Sequence, residues 1–478
     1  MFKNIDELQR CIKDEKIEFL DFKVCDFQGR WRHMTHSTAG MDTTRLTRGS
    51  GISLSPYPGY RMIQQGDMLV RPDPATAFLN PFAARKTISM ICDIFHPDGR
   101  PYERNPRNIV RKAERQIKRL GIDGASRWLP EFEFYIFDGA RYGSGANQAY
   151  YKIDSKYGSW NHGDCCDTGP FVGARLPDTG VGQCDAPRDR HANLRSEMVR
   201  RIENAGYPVK YHHHELGGAG QCEIELKFDS ILRTADSVLA VKYIIHNTAI
   251  EFSHSATFMP KPMHGAPGSG LHFHQFIEKD GKSLFYGGPK KYACLSTSAL
   301  HYIGGLLKHT PALTALCSPS ANSFRRFGVG MAAPMNLFFS ESNRTATIRI
   351  PGYDKTPERT RIEYRIPDAT CNPYFAVAAQ LMAGLDGIRS KIDPKKEGFG
   401  PFDFNNYELS EKERAKFKSG PTTLGHALAE LEKDHAFLTT GRVFPKEVIE
   451  TWIKLKKAEL DDRKRRPHPY DFELYYDF

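Results

Sequence analysis

Alternation of polar and apolar residues along a few short segments is the most informative pattern in this chain. Glu131 and Glu133 alternate with Phe132 and Phe134, so an extended strand would carry both carboxylates on one face and both rings on the other. Two adjacent carboxylates repel each other and need a cation, a proton or solvent between them. Taken alone, the pattern also fits an edge strand with one solvent-exposed face.

Three downstream segments repeat this arrangement of polar groups on one face. Their polar members are His212, His213, His214, Glu215 and Glu223, then His272 and His274, then Arg361, Glu363 and Arg365. Strands that present carboxylate, imidazole and guanidinium groups to a common side predict a polar cavity. Glutamates combined with one or two histidines suit Mg²⁺ or Mn²⁺ better than a structural zinc ion.

The period of the hydrophobic pattern divides the chain into two parts. Strand candidates in the first part are 19–24 and 88–94. The period then changes to that of a helix, which Asn105 is predicted to cap and Pro106 to open. We therefore predict a small β-rich domain over residues 1–103 and a larger domain over 104–478.

The larger domain mixes strand and helix patterns. Its helix candidates are 191–205, 235–252, 295–309 and 372–388. Because the polar strands lie between these helices, the sequence predicts an α+β fold with a curved, mainly antiparallel sheet backed by helices. The segment 139–185, rich in Gly, Asp and Tyr, is predicted to be a loop. His162, Asp164, Cys165 and Cys166 within it favour a surface loop over a metal cluster.

Composition narrows the function classes. The chain has 478 residues, of which 40% are hydrophobic and 26% charged. We expect a cytoplasmic protein, because no apolar run approaches the roughly 20 residues of a membrane span and the N-terminus lacks a signal-peptide core. The ten cysteines show no zinc-ribbon spacing, which favours free thiols. The net charge of +10 is spread along the chain except for basic clusters at 454–457 and 463–466. The sequence shows neither aromatic interleaving nor a recognisable binding module, so we expect neither nucleic acid nor membrane as a partner.

Ordered motifs along almost the whole chain resemble those of glutamine synthetases of the type I class found in bacteria and archaea. The matching segments are 22–29, 130–134, 195–198, 212–223, 268–274, 343–346, 365–368, 372–374 and 467–476. This resemblance implies a β-grasp-like N-terminal domain and a catalytic domain, with active sites formed between subunits. It also implies rings, typically a dodecamer of two hexamers, and ligation of glutamate to an amine through γ-glutamyl phosphate.

The resemblance further implies roles for individual residues. One metal ion would bind Glu133, Glu215 and Glu223, and a second would bind Glu131, His272 and Glu363. Substrate would contact Gly268, His272, Arg326 and Arg365, and ATP would contact His274, Arg344, Arg349 and Arg361. The catalytic residues would be Arg326, Arg344 and Glu215. The chemistry is consistent, because moving a phosphoryl group onto a carboxylate brings two anions together, and cations must offset their repulsion.

The ammonium site departs from the family pattern. The segment after Arg326 aligns without a gap, but Ala332 replaces the glutamate that takes a proton from ammonium. Arg48 replaces an aspartate of the neighbouring subunit's loop, where Gly51 follows, and Gly182 aligns with a tyrosine. Fewer anions and small residues predict weak ammonium binding and space for a bulkier amine. An ordinary glutamine synthetase and a non-catalytic metabolite-binding oligomer remain the alternatives.

Other departures concern the nucleotide side and regulation. Lys210 replaces a glutamate that commonly precedes the histidine run, Phe276 replaces a serine, and Pro267 replaces an asparagine. Tyr407 lies in a segment that resembles the loop some members adenylylate, but the usual flanking residues are missing. We therefore expect Tyr407 to be unmodified.

Overall fold

A computed structural model describes residues 2–41, 44–60, 63–161, 175–327, 336–405, 408–414 and 416–477. Its described part combines two large β-sheets with helices, which confirms the α+β prediction. Among these residues, no helix has both the length and the apolar composition required to cross a membrane.

The N-terminal part is built around a mixed sheet. Its elements are α1 (Ile5–Asp14), β1 (Phe19–Cys25), β2 (Trp31–Ser37), α2 (Thr44–Arg48), β3 (Ser50–Ser53), β4 (Asp67–Pro72), β5 (Phe78–Leu79) and β6 (Thr87–Phe95). The strands follow the order β2-β1-β6-β4-β3, with β5 beside β6. Only β1 and β6 run parallel among these pairs. Both of these strands are mostly buried, and the two buried charges of β1, Asp21 and Lys23, pair with each other at 2.7 Å.

A second, longer sheet carries the polar segments. Its strands are β7 (Ala125–Phe137), β10 (Val209–His214), β11 (Gln221–Leu226), β12 (Asp229–Ser230), β13 (Ser255–Thr257), β14 (Leu271–Lys279), β15 (Lys282–Ser283), β16 (Phe339–Glu341), β17 (Ile348–Ile350) and β18 (Ile362–Tyr364). The main path is β10-β11-β7-β14-β18-β17-β16, and every pairing in the sheet is antiparallel except β16 with β17.

The loop prediction for 139–185 was wrong in part. Two strands, β8 (Gly139–Ser144) and β9 (Ala149–Asp154), form an antiparallel hairpin there. These strands pair only with each other among the described residues, and most of their side chains are exposed. Because neither strand of this hairpin buries a face, the sequence lacks the apolar alternation that marks a half-buried strand, and the pattern did not predict the hairpin.

The remaining described α-helices belong to the larger part of the chain. They are α3 (Pro106–Arg119), α4 (Ala192–Asn204), α5 (Ile231–Glu251), α6 (Thr297–Cys317), α7 (Ser323–Arg326), α8 (Pro373–Ser390), α9 (Glu411–Arg414), α10 (Leu424–Lys433), α11 (Ala436–Thr439), α12 (Lys446–Lys464) and α13 (Pro469–Tyr475). Of these, α3, α4 and α5 pack directly on the larger sheet. All five predicted helices exist, but α6 continues through Pro311 to Cys317. Asn105 does not cap α3 with its side chain, which donates to Asp93 instead.

One buried arginine joins the two parts of the molecule. Arg107 of α3 is 1% exposed and donates to Asp93 of β6 at 2.8 Å and to both carboxylate oxygens of Asp236 in α5 at 3.0 and 2.9 Å. It also donates to Asp73 at 2.9 Å. The guanidinium group therefore neutralises carboxylates from three parts of the chain, and its pair with Asp236 is buried on both sides.

We expect Arg107→Met to lower the free energy of unfolding by about 3–5 kcal/mol, because it leaves buried carboxylates without their cation. Arg111→Met is the matched control. Arg111 pairs with the same Asp93, but its side chain is 31% exposed, so the expected loss is at most about 1 kcal/mol. Thermal and denaturant unfolding of the two variants would measure the difference. Equal losses would contradict the assignment of Arg107 as the buried link.

Candidate active site

Strand register places the polar side chains of five strands on one face of the larger sheet. Glu133 of β7 lies opposite Glu223 of β11. The same register sets Glu131 against both Glu225 of β11 and His272 of β14. On the flanks, His213 of β10 opposes Glu223, and His274 of β14 opposes Glu363 of β18. The alternation along each strand and the register between strands together create one acidic surface.

The first cluster on this surface surrounds His272. Its Nδ1 atom lies 3.0 Å from Glu131, 3.7 Å from Glu363 and 3.9 Å from Glu133. His274 approaches the second oxygen of Glu131 at 3.4 Å. Burial alone would raise the pKa of Glu131, but the charges and hydrogen bonds of His272 and His274 outweigh it and hold this pKa well below its usual range.

The second cluster contains Glu215, Glu223 and His213, which the sequence analysis placed in a polar segment but gave no role in metal binding. His213 Nε2 lies 3.2 Å from Glu223, and its Nδ1 lies 3.7 Å from Glu215 and 3.0 Å from the His214 carbonyl oxygen. Burial, followed by repulsion from Glu133 and Glu131, raises the pKa of Glu215 to about 8. Burial and the neighbouring carboxylates also raise the pKa of Glu223 well above its usual range.

These donors fit divalent cations. Carboxylate oxygens and imidazole nitrogens converge to within 4.8 Å in a group of Glu131, Glu133 and His272, and again in the group of the second cluster. Burial and, after it, repulsion among the carboxylates raise the pKa values of Glu215 and Glu223 when only protein surrounds them. Cations between the carboxylates would remove this repulsion.

Two arginines hold Glu363. Arg349 donates to one carboxylate oxygen at 2.5 Å, and Arg365 donates to the other. Burial would raise the pKa of Glu363, but Arg365 and then His274 lower it to about 2. Glu363 is therefore an anion across the whole physiological pH range.

Arg326 is positioned by backbone groups. Its Nη2 atom donates to the carbonyl oxygens of Arg365, at 3.2 Å, and Ile366, and its side chain is almost wholly buried. Glycine is required beside it, because a Cβ atom at Gly268 would lie 2.4 Å from Arg326 Cγ and one at Gly270 would lie 2.5 Å from Arg326 Nη1. The predicted glycine segment thus allows a buried cation to approach the acidic surface.

The residues predicted to contact ATP lie on the β18 side. Arg361 donates to His274 at 3.3 Å and to Asp354 at 2.6 Å. Arg344 is exposed in the loop before β17, and its charge lowers the pKa of Glu215 against the larger effects of burial and neighbouring carboxylates. The structure therefore brings the predicted arginines to the edges of the same acidic surface.

The departures around the ammonium site are only partly within the described residues. Ala332, Tyr407 and the 162–166 segment lie outside them. Arg48 is exposed at the end of α2, and an added Cβ at Gly51 would meet no described atom within 4 Å. At Gly182 the space is not open, since an added Cβ would lie 3.2 Å from Leu216. The apolar side chain of Leu216, which follows Glu215 in the sequence, therefore lies beside this position.

Comparison with known proteins identifies the class of enzyme. A family model described as glutamine synthetase, catalytic domain, matches residues 103–475, and one described as glutamine synthetase, beta-Grasp domain, matches residues 16–97. The chain therefore belongs to the glutamine synthetase family, whose members are ATP-dependent, metal-using ligases that form C–N bonds. This result confirms the predicted family and enzyme class.

Individual relatives agree with this assignment. The chain is 42% identical over 479 residues to a glutamine synthetase of Mycolicibacterium smegmatis, covering 99% of both chains. It is 44% identical over 474 residues to a glutamine synthetase of Microchaete diplosiphon, covering 98% of this chain and 99% of that one. A cryo-EM structure of Plasmodium falciparum glutamine synthetase matches with a TM-score of 0.89 at 28% identity, covering 99% of both chains.

Proposed function

We propose that this chain activates glutamate as γ-glutamyl phosphate and transfers the glutamyl group to an amine other than ammonia. Carboxylate and imidazole donors converge on one sheet face, with arginines at its edges. This convergence supports the proposed activation step. The altered charges around the acceptor position support the inference that the acceptor is not ammonia. The two parts of the proposal are separable by experiment.

The proposed cation ligands form two sets. Glu133, Glu215 and Glu223 would hold one Mg²⁺ or Mn²⁺ ion, with His213 close enough to join them. Glu131, His272 and Glu363 would hold the other. When bound, these ions neutralise the phosphate oxygens and take up the charge that develops during phosphoryl transfer.

The arginines complete the charge balance of the activation step. A side-chain oxygen of glutamate attacks the γ-phosphorus of ATP, the bond to the ADP oxygen breaks, and an acyl phosphate forms. We assign Arg344 and Arg349 to the phosphate oxygens. Arg326 and Arg365 would bind the amino-acid carboxylate and the transferred phosphoryl group, because a planar guanidinium pairs two oxygens at once. His274 and Arg361 would contact the nucleotide, and Gly268 and His272 the amino acid.

The acceptor step favours an amine that brings its own binding contacts. The amine nitrogen attacks the carbonyl carbon, phosphate leaves, and a proton passes from nitrogen to Glu215. Ammonium is drawn from water only by several converging anions, and Ala332 and Arg48 stand where two would be expected. Leu216, 37% exposed beside Glu215, would instead contact the alkyl part of a substituted amine.

The names of the relatives favour a second candidate. Proteins covering 98–99% of the chain at 42–44% identity carry the name glutamine synthetase. Ammonia would then be the acceptor, and another residue of the site would provide the negative charge of the glutamate that Ala332 replaces.

Assembly and location follow the family expectation. We propose a ring-forming homo-oligomer, a dodecamer of two hexamers, in which the segment of Arg48 completes a neighbouring site. Exposed aromatic side chains on α13, such as Phe472 and Tyr475, support subunit contacts there. The eight cysteines of the described residues are free, which supports a cytoplasmic location.

A panel of acceptors tests the proposal. Phosphate release from ATP would be measured with L-glutamate, Mg²⁺ or Mn²⁺, and either ammonium or a series of alkylamines and diamines. We expect at least one organic amine to exceed ammonium in kcat/KM by about 100-fold, the effect of ~3 kcal/mol. Saturable turnover with ammonium alone would establish the second candidate. If no acceptor in the panel supports phosphate release and the protein does not bind ATP, both candidate functions are overturned.

A further inference from the structure

Two neutral side chains lie opposite each other where β11 begins, next to the carboxylates of the site. Gln221 of β11 is paired in register with Tyr135 of β7, and both residues are buried. Residues two apart on a strand share a face, so Gln221 lies on the face of Glu223 and Tyr135 on the face of Glu133. Neither Gln221 nor Tyr135 is among the proposed ligands of substrate or cation.

The side-chain amide of Gln221 joins two segments of backbone. Its Oε1 atom accepts from the backbone N–H of Gly217 at 2.8 Å, and its Nε2 atom donates to the carbonyl oxygen of Gly268 at 2.9 Å. Gly217 follows Glu215 and Leu216 on the proposed acceptor side, whereas Gly268 belongs to the segment proposed to contact glutamate. One amide group therefore bridges the two sides of the site.

Tyr135 holds the glutamate-side segment one residue earlier. Its hydroxyl group donates to the carbonyl oxygen of Pro267 at 2.8 Å. The same hydroxyl lies against Gly217, where an added Cβ would overlap it and would lie 2.8 Å from Gln221 Oε1. Glycine is required at position 217 because both side chains approach its backbone closely. The opposed pair thus fixes two consecutive carbonyl groups, those of Pro267 and Gly268.

The turn after Glu215 is closed by backbone hydrogen bonds. Glu215 N donates to the carbonyl oxygen of Gln221 at 2.9 Å, and Gln221 N donates to that of Gly217 at 3.0 Å. These two bonds remain when the Gln221 side chain is replaced, so the turn itself should stay formed. The side chain provides the link from this turn to Gly268, and its replacement removes that link.

The separation of the two segments matters most for the acceptor step. The amine nitrogen has to reach the glutamyl carbonyl carbon and the Glu215 carboxylate, which takes its proton, at the same time. A displacement of about 1 Å between reacting groups can lower a rate by about 100-fold. Transfer of the phosphoryl group to glutamate does not include this proton transfer, so it depends less on the separation.

We propose that Gln221, assisted by Tyr135, is a positioning residue that sets the distance between the acceptor side of the site and the bound glutamate. This inference rests on the proposed function, which assigns Glu215 and Gly268 to these two sides. Gln221 acts through the two backbone segments. Its replacement impairs transfer to a protonated amine more than formation of the acyl phosphate.

Hydroxylamine separates the two steps by experiment. It is largely uncharged at neutral pH and traps an acyl phosphate as a hydroxamate: its nitrogen bonds to the carbonyl carbon, phosphate leaves, and the proton from nitrogen passes to solvent. Ammonium and ethylammonium must instead give up a proton before their nitrogen can attack. Hydroxamate and amide formation would be measured in the assembled full-length protein with ATP, Mg²⁺ and L-glutamate.

We expect Gln221→Met to lower kcat by about 30- to 100-fold with the better of ammonium and ethylamine as acceptor. Hydroxamate formation should fall by at most about threefold, the effect of less than one kinetically important hydrogen bond. Methionine has nearly the volume of glutamine but cannot bridge Gly217 and Gly268, so the comparison isolates the two hydrogen bonds.

Gln275→Met is the matched control. Gln275 of β14 is equally buried and is also bonded through both ends of its amide. It accepts from Tyr302 of α6 at 2.6 Å and donates to Gln380 of α8 at 2.9 Å, so its partners lie on the helices. Gln275→Met should lower the melting temperature but leave the ratio of amide to hydroxamate formation unchanged.

The outcomes separate this inference from the proposed function. If wild type forms no hydroxamate, the activation step fails and the inference fails with it. If wild type forms hydroxamate and Gln221→Met loses both activities equally, only the positioning role is overturned. A changed ratio in Gln275→Met would overturn it as well. If Gln221→Met does not fold, Tyr135→Phe decides: a ratio lowered by about threefold or more supports the inference, and an unchanged ratio overturns it.

Discussion

Replacement of Glu223 by glutamine is expected to lower kcat/KM for glutamate-dependent phosphate release by about 10³-fold. Glu223 belongs to the second cluster, where its carboxylate lies beside Glu215 and His213. Glutamine has the same shape but no charge, so a cation bound there loses one of its anionic ligands. A loss of ~4 kcal/mol of charge stabilisation corresponds to this factor.

The stability of the metal-free protein should not fall with the activity when Glu223 is replaced by glutamine. The pKa of Glu223 is raised in the folded chain, so ionisation is easier in the unfolded chain. Above the usual glutamate range, near pH 4.3, the carboxylate therefore destabilises the metal-free fold as the pH rises. Glu223→Gln removes the buried negative charge. The melting temperature of the metal-free variant at pH 7.5 should therefore be no lower than that of wild type.

Manganese distinguishes a cation ligand from a structural residue. Wild type should gain melting temperature when Mn²⁺ is added, whereas Glu223→Gln should lose most of that gain. Glu278→Gln, on β14 and paired with Arg127 away from the clusters, is the matched control and should keep both activity and the Mn²⁺ response. A Glu223→Gln enzyme with wild-type turnover and an unchanged Mn²⁺ response would contradict the role of Glu223.

Alternation and helix periodicity predicted much of the fold, because both follow from local burial. The strand containing Glu131 and the helix beginning at Pro106 were found where their patterns indicated. The end of α6 was missed, because Pro311 is a helix-breaking signal by sequence alone. Here nearly every face of the helix is buried, and tertiary packing outweighs the lost hydrogen bond.

The site shows the same division between local and non-local information. Glu131 and Glu133 could be placed on one face from alternation alone. The partnership of His213 with Glu223, and the clamp of Arg349 on Glu363, depend on register between strands, which alternation does not specify. The β-bulge at Lys210, where the register of β10 against β11 shifts between Val209 and Tyr211, is the clearest case, because one extra residue reverses the face to which a side chain points.

The second large effect concerns the acceptor. Restoring the missing carboxylate with Ala332→Glu should raise kcat/KM for ammonium by about 100-fold. A charged hydrogen bond to ammonium contributes ~1.5–3 kcal/mol, and the new group would also accept the proton that the amine releases. Organic amines should become poorer acceptors, because the longer side chain occupies the space that they require.

Ala332→Gln separates the effect of charge from the effect of size. Glutamine fills the same volume, so it should exclude organic amines as glutamate does but give ammonium little benefit. Adding Arg48→Asp to Ala332→Glu should improve ammonium use further, since it replaces an exposed cation by an anion. If Ala332→Glu leaves the ratio of ammonium to organic-amine kcat/KM unchanged, position 332 does not select the acceptor. The enzyme would then be an ordinary glutamine synthetase whose ammonium-binding anions come from other residues.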